Sequence, residues 1–481
     1  IGDTVCFISS NDYLKSIAFI SLLNIGAISI FLDERITYDK LDNVLNKTKF
    51  KYIFCGNASK IIVDKLVNNY SEITKVFIEC NDDYELDNKF INVTQLFSDD
   101  IKCENNFDVN QSDIAVIEWT GGTNDGTPKP VAKTHGNLIN GLQQMLSDNV
   151  LSNNSDDIII SMPFDHLFGI YFHLISLISG SKTVLIRETF ATNTYIYLQC
   201  IENLNVTKLI LFSSDINLMV KNEVNLMYNV SSVKEIIYIG VFDDNNIIRQ
   251  SVDSMFKCRY FRSVYGTTES GVIACLQKSK CYERNNYSTG QLISGTVLQV
   301  LDLKTGESLP AYSVGEICVK SGQLGHSYGT DNSDRFTNDG YLRSNDAGYY
   351  DNEGNVYIEC KISDIIYVDN QMLIPNDLKI LLLSHPNVID VSVIGIYCNY
   401  SDSESDSDTN ETNNIIYKQL NNTFKIFVVL RAGSNETDLD LINFINDKVE
   451  PIKQVDFNLY VMDILPRNSL GDIQRGSLIK Y

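Results

Sequence analysis

The sequence predicts an α/β fold with a large N-terminal domain of parallel sheets covered by helices. A small β-subdomain and a C-terminal α+β domain complete it. Three observations carry this. Short β-branched runs alternate with helical patterns up to about residue 260. From Thr289 to Val319 the texture changes to short runs cut by turn signals, and beyond Lys361 a strand–helix–strand block follows. Strands alternating with helix-length stretches give a largely parallel sheet with both faces covered.

Taken in order, Val5–Ser9 reads as a strand. Tyr13, Ile17, Ile20 and Leu23 then recur at helical spacing, and Ala27–Leu32 is a strand again. Lys51–Cys55, Lys75–Ile78, Asp113–Trp119, Ile158–Ser161, Lys182–Ile186, Thr207–Leu211 and Glu235–Ile239 continue the series. The N-terminal domain is expected over residues 1–361, its β-subdomain over about 289–360. There Val297–Leu301 and Gly315–Val319 are separated by Lys304–Thr305–Gly306 and Leu309–Pro310. The C-terminal domain takes 362–481, with a helix at Asn376–Ser384, a break at His385–Pro386, and strands at Val388–Ile396 and Phe424–Leu430. Between those strands Ser401–Asn414, SDSESDSDTNETNN, contains no apolar residue and is expected to be a disordered acidic insertion.

The 481 residues allow two to four domains, at about 100–200 residues each. Against 39 Lys+Arg stand 61 Asp+Glu, a net charge of -22 with no local basic patch. Nucleic acid and anionic membrane surfaces are therefore poor partners. The most apolar stretch, Ile17–Leu32, is interrupted by Ser21, Asn24, Gly26 and Ser29, so no membrane span is expected. The 11 cysteines include no CxxC, which argues against a disulfide framework or zinc site and for a reducing, cytoplasmic setting. The first residue is Ile, which is compatible with a piece of something longer.

The most informative stretch is Ile117–Asn137, IEWTGGTNDGTPKPVAKTHGN, where a strand runs into a Gly- and Thr-rich loop with Lys129 beyond it. Gly lets the backbone approach an anion, Thr adds donors and Lys adds point charge. Alone, such a loop fits a plain turn equally well. Three further segments narrow the reading: Ser161–Gly169 (SMPFDHLFG), Ser263–Ser270 (SVYGTTES) and Asp339–Gly354 (DGYLRSNDAGYYDNEG).

With these in order, the chain resembles the adenylate-forming superfamily of acyl-CoA synthetases, luciferases and nonribosomal peptide synthetase adenylation domains. The family's phosphate loop matches Thr120–Pro130, its Y-G-x-T-E matches Tyr265–Glu269, its T-G-D matches Ser344–Asp346, and its L-P-x-T-x-x-G-K matches Leu465–Asp472. The resemblance implies that a carboxylic acid attacks the α-phosphate of ATP and that a thiol of coenzyme A or a carrier-protein phosphopantetheine then displaces AMP. It also implies a mobile C-terminal lid turning about Lys361–Ser363. Thr120, Gly121, Gly122, Thr123, Thr127 and Lys129 would hold phosphates, with Thr123 and Glu269 on Mg²⁺. Tyr265 would stack on adenine, Gly266 and Thr267 would flank it, Thr268 would bond the α-phosphate, and Asp346 and Lys361 would hold the ribose end. Against these roles stand a core aromatic at Tyr265, a turn residue at Asp346 and a surface acid at Glu269. His166, Phe164 and Gly240 fall where the family contacts its acyl substrate. PFDHLFG matches the carboxylic-acid pattern more closely than the amino-acid one, although Asp165 leaves a substrate ammonium open. A small carboxylic acid, and an acyl or peptidyl carrier protein, are the partners this implies.

The departures fall on the ATP half-reaction. The family's C-terminal lysine aligns with Asp472, the loop gains a residue near Asn124–Asp125, and the interdomain arginine becomes Lys361. Two readings follow: an acid–thiol ligase, or a relative that binds nucleotide or acyl group after losing adenylation and acts in thiol transfer or as a scaffold.

Overall fold

The structure, a computed structural model, describes residues 1–78, 89–93, 107–120, 129–151, 155–188, 193–222, 227–240, 245–281, 288–327, 335–368, 371–396, 423–431, 433–448, 457–466, 473 and 475–481. The first sheet opens with β1 (Thr4–Ile8), β2 (Ile28–Leu32), β3 (Tyr52–Cys55), β4 (Lys75–Ile78), β5 (Phe90–Asn92), β6 (Ile114–Trp119) and β7 (Pro130–Thr134). The second contains β8 (Ile158–Ile160), β9 (Lys182–Val184), β10 (Lys208–Phe212), β11 (Glu235–Ile239), β12 (Tyr260–Thr267), β13 (Gly271–Cys275), β14 (Gly290–Leu292), β15 (Thr296–Leu301) and β16 (Gly315–Ser321). The short β17 (His326–Ser327) returns to the first sheet, and β18 (Leu342–Tyr350) and β19 (Asn355–Lys361) complete the second.

Across the first sheet the order is β17-β7-β6-β2-β1-β3-β4-β5, parallel from β6 to β5. The second runs β15-β16-β18-β19-β14-β13-β12-β11-β10-β8-β9. Its half from β12 to β9 is parallel, and the β12–β13 hairpin reverses the direction so that the rest is antiparallel. The expected β-subdomain is thus an extension hydrogen-bonded onto the parallel sheet. It keeps its own apolar cluster around Val300, Ile317, Val319 and Val356.

Helix Leu167–Ile178 joins the two sheets. Ten of its residues, Leu167 to Ser176, are buried, and the cluster it enters takes Val5, Phe7 and Phe31 from one sheet and Ile210, Ile237 and Val264 from the other. A helix apolar all round has nowhere else to go. Helix His135–Ser147 starts on a reciprocal cap between Thr134 and Asn137. β1, β2 and β6 in one sheet, and β8, β10, β11 and β12 in the other, run parallel within their own sheets; Thr120, His166, Gly240, Thr268 and Glu269 follow the carboxyl ends of β6, β8, β11 and β12, whereas Tyr265 lies within β12 and Asp346 and Lys361 on β18 and β19. In open α/β sheets ligands bind in the crevice outside the carboxyl ends of the strands.

The C-terminal part pairs β20 (Ile366–Val368) with β21 (Gln371–Leu373), and β22 (Val388–Ile396), β23 (Thr423–Leu430) and β24 (Phe457–Met462) form a second small sheet. Helices Pro375–Leu383 and Asp438–Lys448 cover it, giving a core of Leu378, Val391, Phe424, Ile426, Leu441 and Ile445. The acidic insertion Ser401–Asn414 lies outside the described residues. Among the described residues no helix is long and apolar enough to cross a membrane.

Candidate active site

The stem of the Gly- and Thr-rich segment is closed at its base. Trp119 faces Pro130 across the antiparallel β6–β7 pair. The Thr120 N–H donates to the Lys129 carbonyl at 3.0 Å, and the Lys129 N–H donates to Thr120 Oγ1 at 3.0 Å. The Lys129 side chain is exposed. Gly121, Gly122, Thr123 and Thr127, with Asn124 and Asp125, lie outside the described residues.

Tyr265 to Glu269 end β12 and turn into β13. The turn is locked by side chains: the Thr267 N–H donates to Ser270 Oγ at 2.9 Å, and the Ser270 N–H donates to Thr267 Oγ1 at 3.1 Å. Thr268 and Glu269 are half-buried at its tip. The turn is close-packed at Gly266, where the β12–β13 register shifts. A Cβ there would sit 2.0 Å from the Gly271 carbonyl oxygen.

Tyr265 and Asp346 meet. The phenol donates to Asp346 Oδ2 at 2.7 Å, and Lys361 Nζ lies 2.5 Å from Asp346 Oδ1. The sheet makes this contact, because Asp346 and Lys361 are partners in the β18–β19 register. Burial, with Asp346 beside it, pushes the Tyr265 hydroxyl well above its ordinary range, so it stays a donor. The Tyr265 ring is 8 % exposed and belongs to the β-subdomain cluster. Asp346 is 4 % exposed, and each of its oxygens keeps a further lone pair.

Glu269 is ionised. Burial works against the charge, but Arg335, whose Nη1 donates to Oε1 at 2.5 Å, and Lys361 outweigh it and hold the carboxyl below the usual range. Its carbonyl accepts from Lys133 Nζ at 2.7 Å and from the Gly325 N–H at 2.8 Å.

His166 caps helix Leu167–Ile178. Its Nδ1 accepts the Phe168 N–H at 3.2 Å, which leaves the proton on Nε2. The ring stacks on Phe168 at 5.2 Å and meets Phe212 edge-on at 5.0 Å. Burial lowers its pKa to about 4, so it is neutral near pH 7. Gly169 permits this start, since a Cβ there would lie 1.9 Å from the Pro163 carbonyl. Phe168 reaches Gly266, and Ser213, next to Phe212, lies beside Gly240. Phe164 is 0 % exposed, packed edge-on to His173 at 4.4 Å and near Phe19 and Phe31.

The motifs do not include several charged neighbours. Lys133 is 0 % exposed and donates to the carbonyls of Glu269 and Gln323, both at 2.7 Å. Burial pulls it down to about 7, with Glu269 and Glu118 opposing. Glu118, 1 % exposed, is raised by burial and by Asp165, and Lys15 and Lys133 pull the other way. Lys15, 2 % exposed, donates to the Ser9 carbonyl at 3.0 Å and lies 5.9 Å from the centre of the Phe164 ring. Lys133 stands within the quoted phosphate-loop stretch, but a lysine between Ala132 and Thr134 gives no signal of burial. Asp472 lies outside the described residues.

Two large sheets with parallel halves and covering helices, and Tyr265, Asp346 and Lys361 joined in one polar group near an ionised Glu269, place the molecule among α/β proteins. The profile of the family described as AMP-binding enzyme matches residues 1–328, and the chain belongs to that family. It is 25 % identical over 495 residues to 4-coumarate--CoA ligase 4 of Arabidopsis thaliana, covering 99 % of this chain and 81 % of that one. It is also 25 % identical over 490 residues to luciferin 4-monooxygenase of Photuris pensylvanica, covering 98 % and 84 %. Its fold is that of ATP-bound MatB from Rhodopseudomonas palustris, with a TM-score of 0.82 at 17 % identity over 100 % of this chain and 88 % of that one.

Proposed function

We propose that the chain is an acyl-AMP-forming acid–thiol ligase acting on a small carboxylic acid, with coenzyme A or a carrier-protein phosphopantetheine as acceptor. One observation carries the reading: in a chain of the AMP-binding enzyme family, Tyr265 and Lys361 converge on Asp346 next to an ionised Glu269. Relatives with the names of CoA ligases, aligned along nearly all of the chain, support it.

In this reading a carboxylate oxygen of the acid bonds to the α-phosphorus of ATP and the bond to the bridging oxygen breaks, releasing pyrophosphate. The thiol sulfur then bonds to the acyl carbon, the thiol proton leaves to solvent, and AMP departs with the electrons of the anhydride bond. No side-chain nucleophile is needed; the protein's work is orientation and charge stabilisation. Asp346 accepts the ribose hydroxyls on its remaining lone pairs, with Tyr265 and Lys361 fixing its plane. Thr268 donates to the α-phosphate, and Lys129 and the loop of Gly121, Gly122, Thr123 and Thr127 hold the leaving phosphates. His166, neutral, offers Nε2–H at the acyl end.

Glu269 suits Mg²⁺ in one respect: it is a carboxylate that stays ionised, with Oε2 left to an incoming cation. Among the described residues no three of His, Cys, Asp and Glu cluster as a cage, which fits an ion held mostly by phosphates and water. When bound, that ion neutralises phosphate charge.

A second reading is favoured by Asp472, an anion at the family's lysine position. There the chain binds ATP or an acyl group without turning it over. Losing one electrostatic contact of this kind costs about 3–4 kcal/mol of barrier, or 10²–10³ in rate. ATP–pyrophosphate exchange over a panel of carboxylic acids separates the readings. Exchange with any acid is expected, and Asp472→Lys should raise it roughly tenfold or more. Tight ATP binding with no exchange for any acid would leave the second reading standing. A wild type that exchanges, and does so unchanged by Asp472→Ala and Asp472→Lys, would remove residue 472 from the site.

A further inference from the structure

Glu269 is gripped at both ends by cations. Lys133 comes from β7, Glu269 from the turn after β12, and Gln323 and Gly325 from the segment between β16 and β17. The Lys133 ammonium donates to the carbonyls of Glu269 and Gln323 at 2.7 Å each, so a single buried charge ties the two sheets and the β-subdomain together. The Gly325 N–H donates to the same Glu269 carbonyl, and His326 pairs with Ala132, one residue before Lys133. Gln323 is anchored in turn: its amide accepts from the Val272 N–H at 3.1 Å and donates to the Val272 carbonyl at 2.6 Å. At the other end Arg335 Nη1 meets the carboxylate itself at 2.5 Å.

We infer that Lys133 and Arg335 are positioning residues: Lys133 fixes the main chain of the Thr267–Ser270 turn, and Arg335 fixes the direction in which the Glu269 carboxylate points. The inference rests on the reading of Glu269 given under Proposed function, and its test has an arm that does not. Charge-assisted hydrogen bonds are short and directional, and a buried carbonyl deprived of its donor is costly. The turn bearing Thr268 and Glu269 therefore has one favoured placement while both cations are present. The charged groups facing Lys133 are Glu118 on β6 and Glu269 after β12; those facing the Glu269 carboxylate are Arg335 and Lys361.

Hydrogen–deuterium exchange of the full chain tests the clamp without any substrate. Lys133→Met should speed exchange roughly tenfold in peptides covering 267–272 and 323–327 while peptides over 388–396 stay as in wild type. Arg335→Met should leave both exchange rates near wild type. In pyrophosphate exchange either variant should lower kcat roughly tenfold with KM for ATP changed less than about threefold, and Arg335→Lys should restore part of it. A wild type without exchange activity defeats the ligase reading, and the deuterium pattern then decides the clamp. If Lys133→Met does not fold, Lys133→Gln, which keeps a donor, takes its place. Unchanged protection at both peptides, or protection lost evenly across the chain, overturns the inference.

Discussion

His173 shows how far burial alone can move a titratable side chain. It lies on the buried helix Leu167–Ile178, 2 % exposed, with Nε2 2.7 Å from Ser16 Oγ and its ring against Phe164. Burial lowers its pKa from 6.5 to about 4. The unfolded chain therefore takes up this proton below pH 6.5, while the folded one resists it down to about 4. The stability the neutral ring contributes is complete above pH 6.5 and is lost as the pH falls toward 4, roughly 2–3 kcal/mol by pH 4.5. His173→Gln removes the titration. Denaturant unfolding at pH 7.5 and 4.5 should show the wild-type advantage over the variant shrinking by about that amount, and an advantage equal at both pH values would contradict it. At this scale the sequence is legible where motif and geometry coincide: Tyr265, Asp346 and Lys361 stand in motifs far apart in the chain, and their side chains meet. Lys15, Glu118 and Lys133 are not legible. Their residue types read as solvent-facing, and only the packing around β6, β7 and the inner face of helix Tyr13–Ile25 buries them.

The β12–β13 hairpin is the element on which the site turns. It reverses the second sheet and holds Thr268 and Glu269, half-buried, at its tip. It does so through a register shift at Gly266, whose missing Cβ leaves room for the Gly271 carbonyl. Gly266→Ala would force the two strands apart, because a contact of 2.0 Å with backbone cannot be relieved by a rotamer change. Overpacking of this kind costs about 1–3 kcal/mol or more; the expected outcome is a loss at the upper end, with nucleotide affinity falling alongside, measured by chemical denaturation and titration calorimetry. A variant with wild-type stability and affinity would show that the bulge is not needed. Strands such as Lys75–Ile78, Glu235–Ile239 and Val388–Ile396 are legible in the sequence with their observed bounds, since continuous apolar, β-branched runs leave little choice. The strands bearing site residues are harder to see. β7 begins with Pro130 and contains a lysine, and β18, LRSNDAGYY, carries polar residues into a ladder between β16 and β19. Their strand state follows from pairing with β6, β16 and β19, which no local pattern records.

For the whole molecule, the distribution of apolar clusters predicts how stability is partitioned. The two large sheets share a core through helix Leu167–Ile178, whereas the C-terminal sheet buries its own. The join is a small cluster in which Leu303 and Ala347 meet Ile365, with Ile362 and Met372 beside them. A junction of that size transmits little, so damage on one side should stay there. Phe424 is 0 % exposed in the C-terminal core, stacked on Phe457 with ring centres 5.0 Å apart. Phe424→Ala removes this packing at a cost of about 3–5 kcal/mol. If the C-terminal part is an independent cooperative unit, deuterium exchange should accelerate over 371–396, 423–430 and 457–462 while β10 to β12 keep wild-type protection. Acceleration of equal size in β10 to β12 would mean that the molecule unfolds as one body. A lid that turns about Lys361–Ser363 while the large sheets stay rigid would then lose its physical basis.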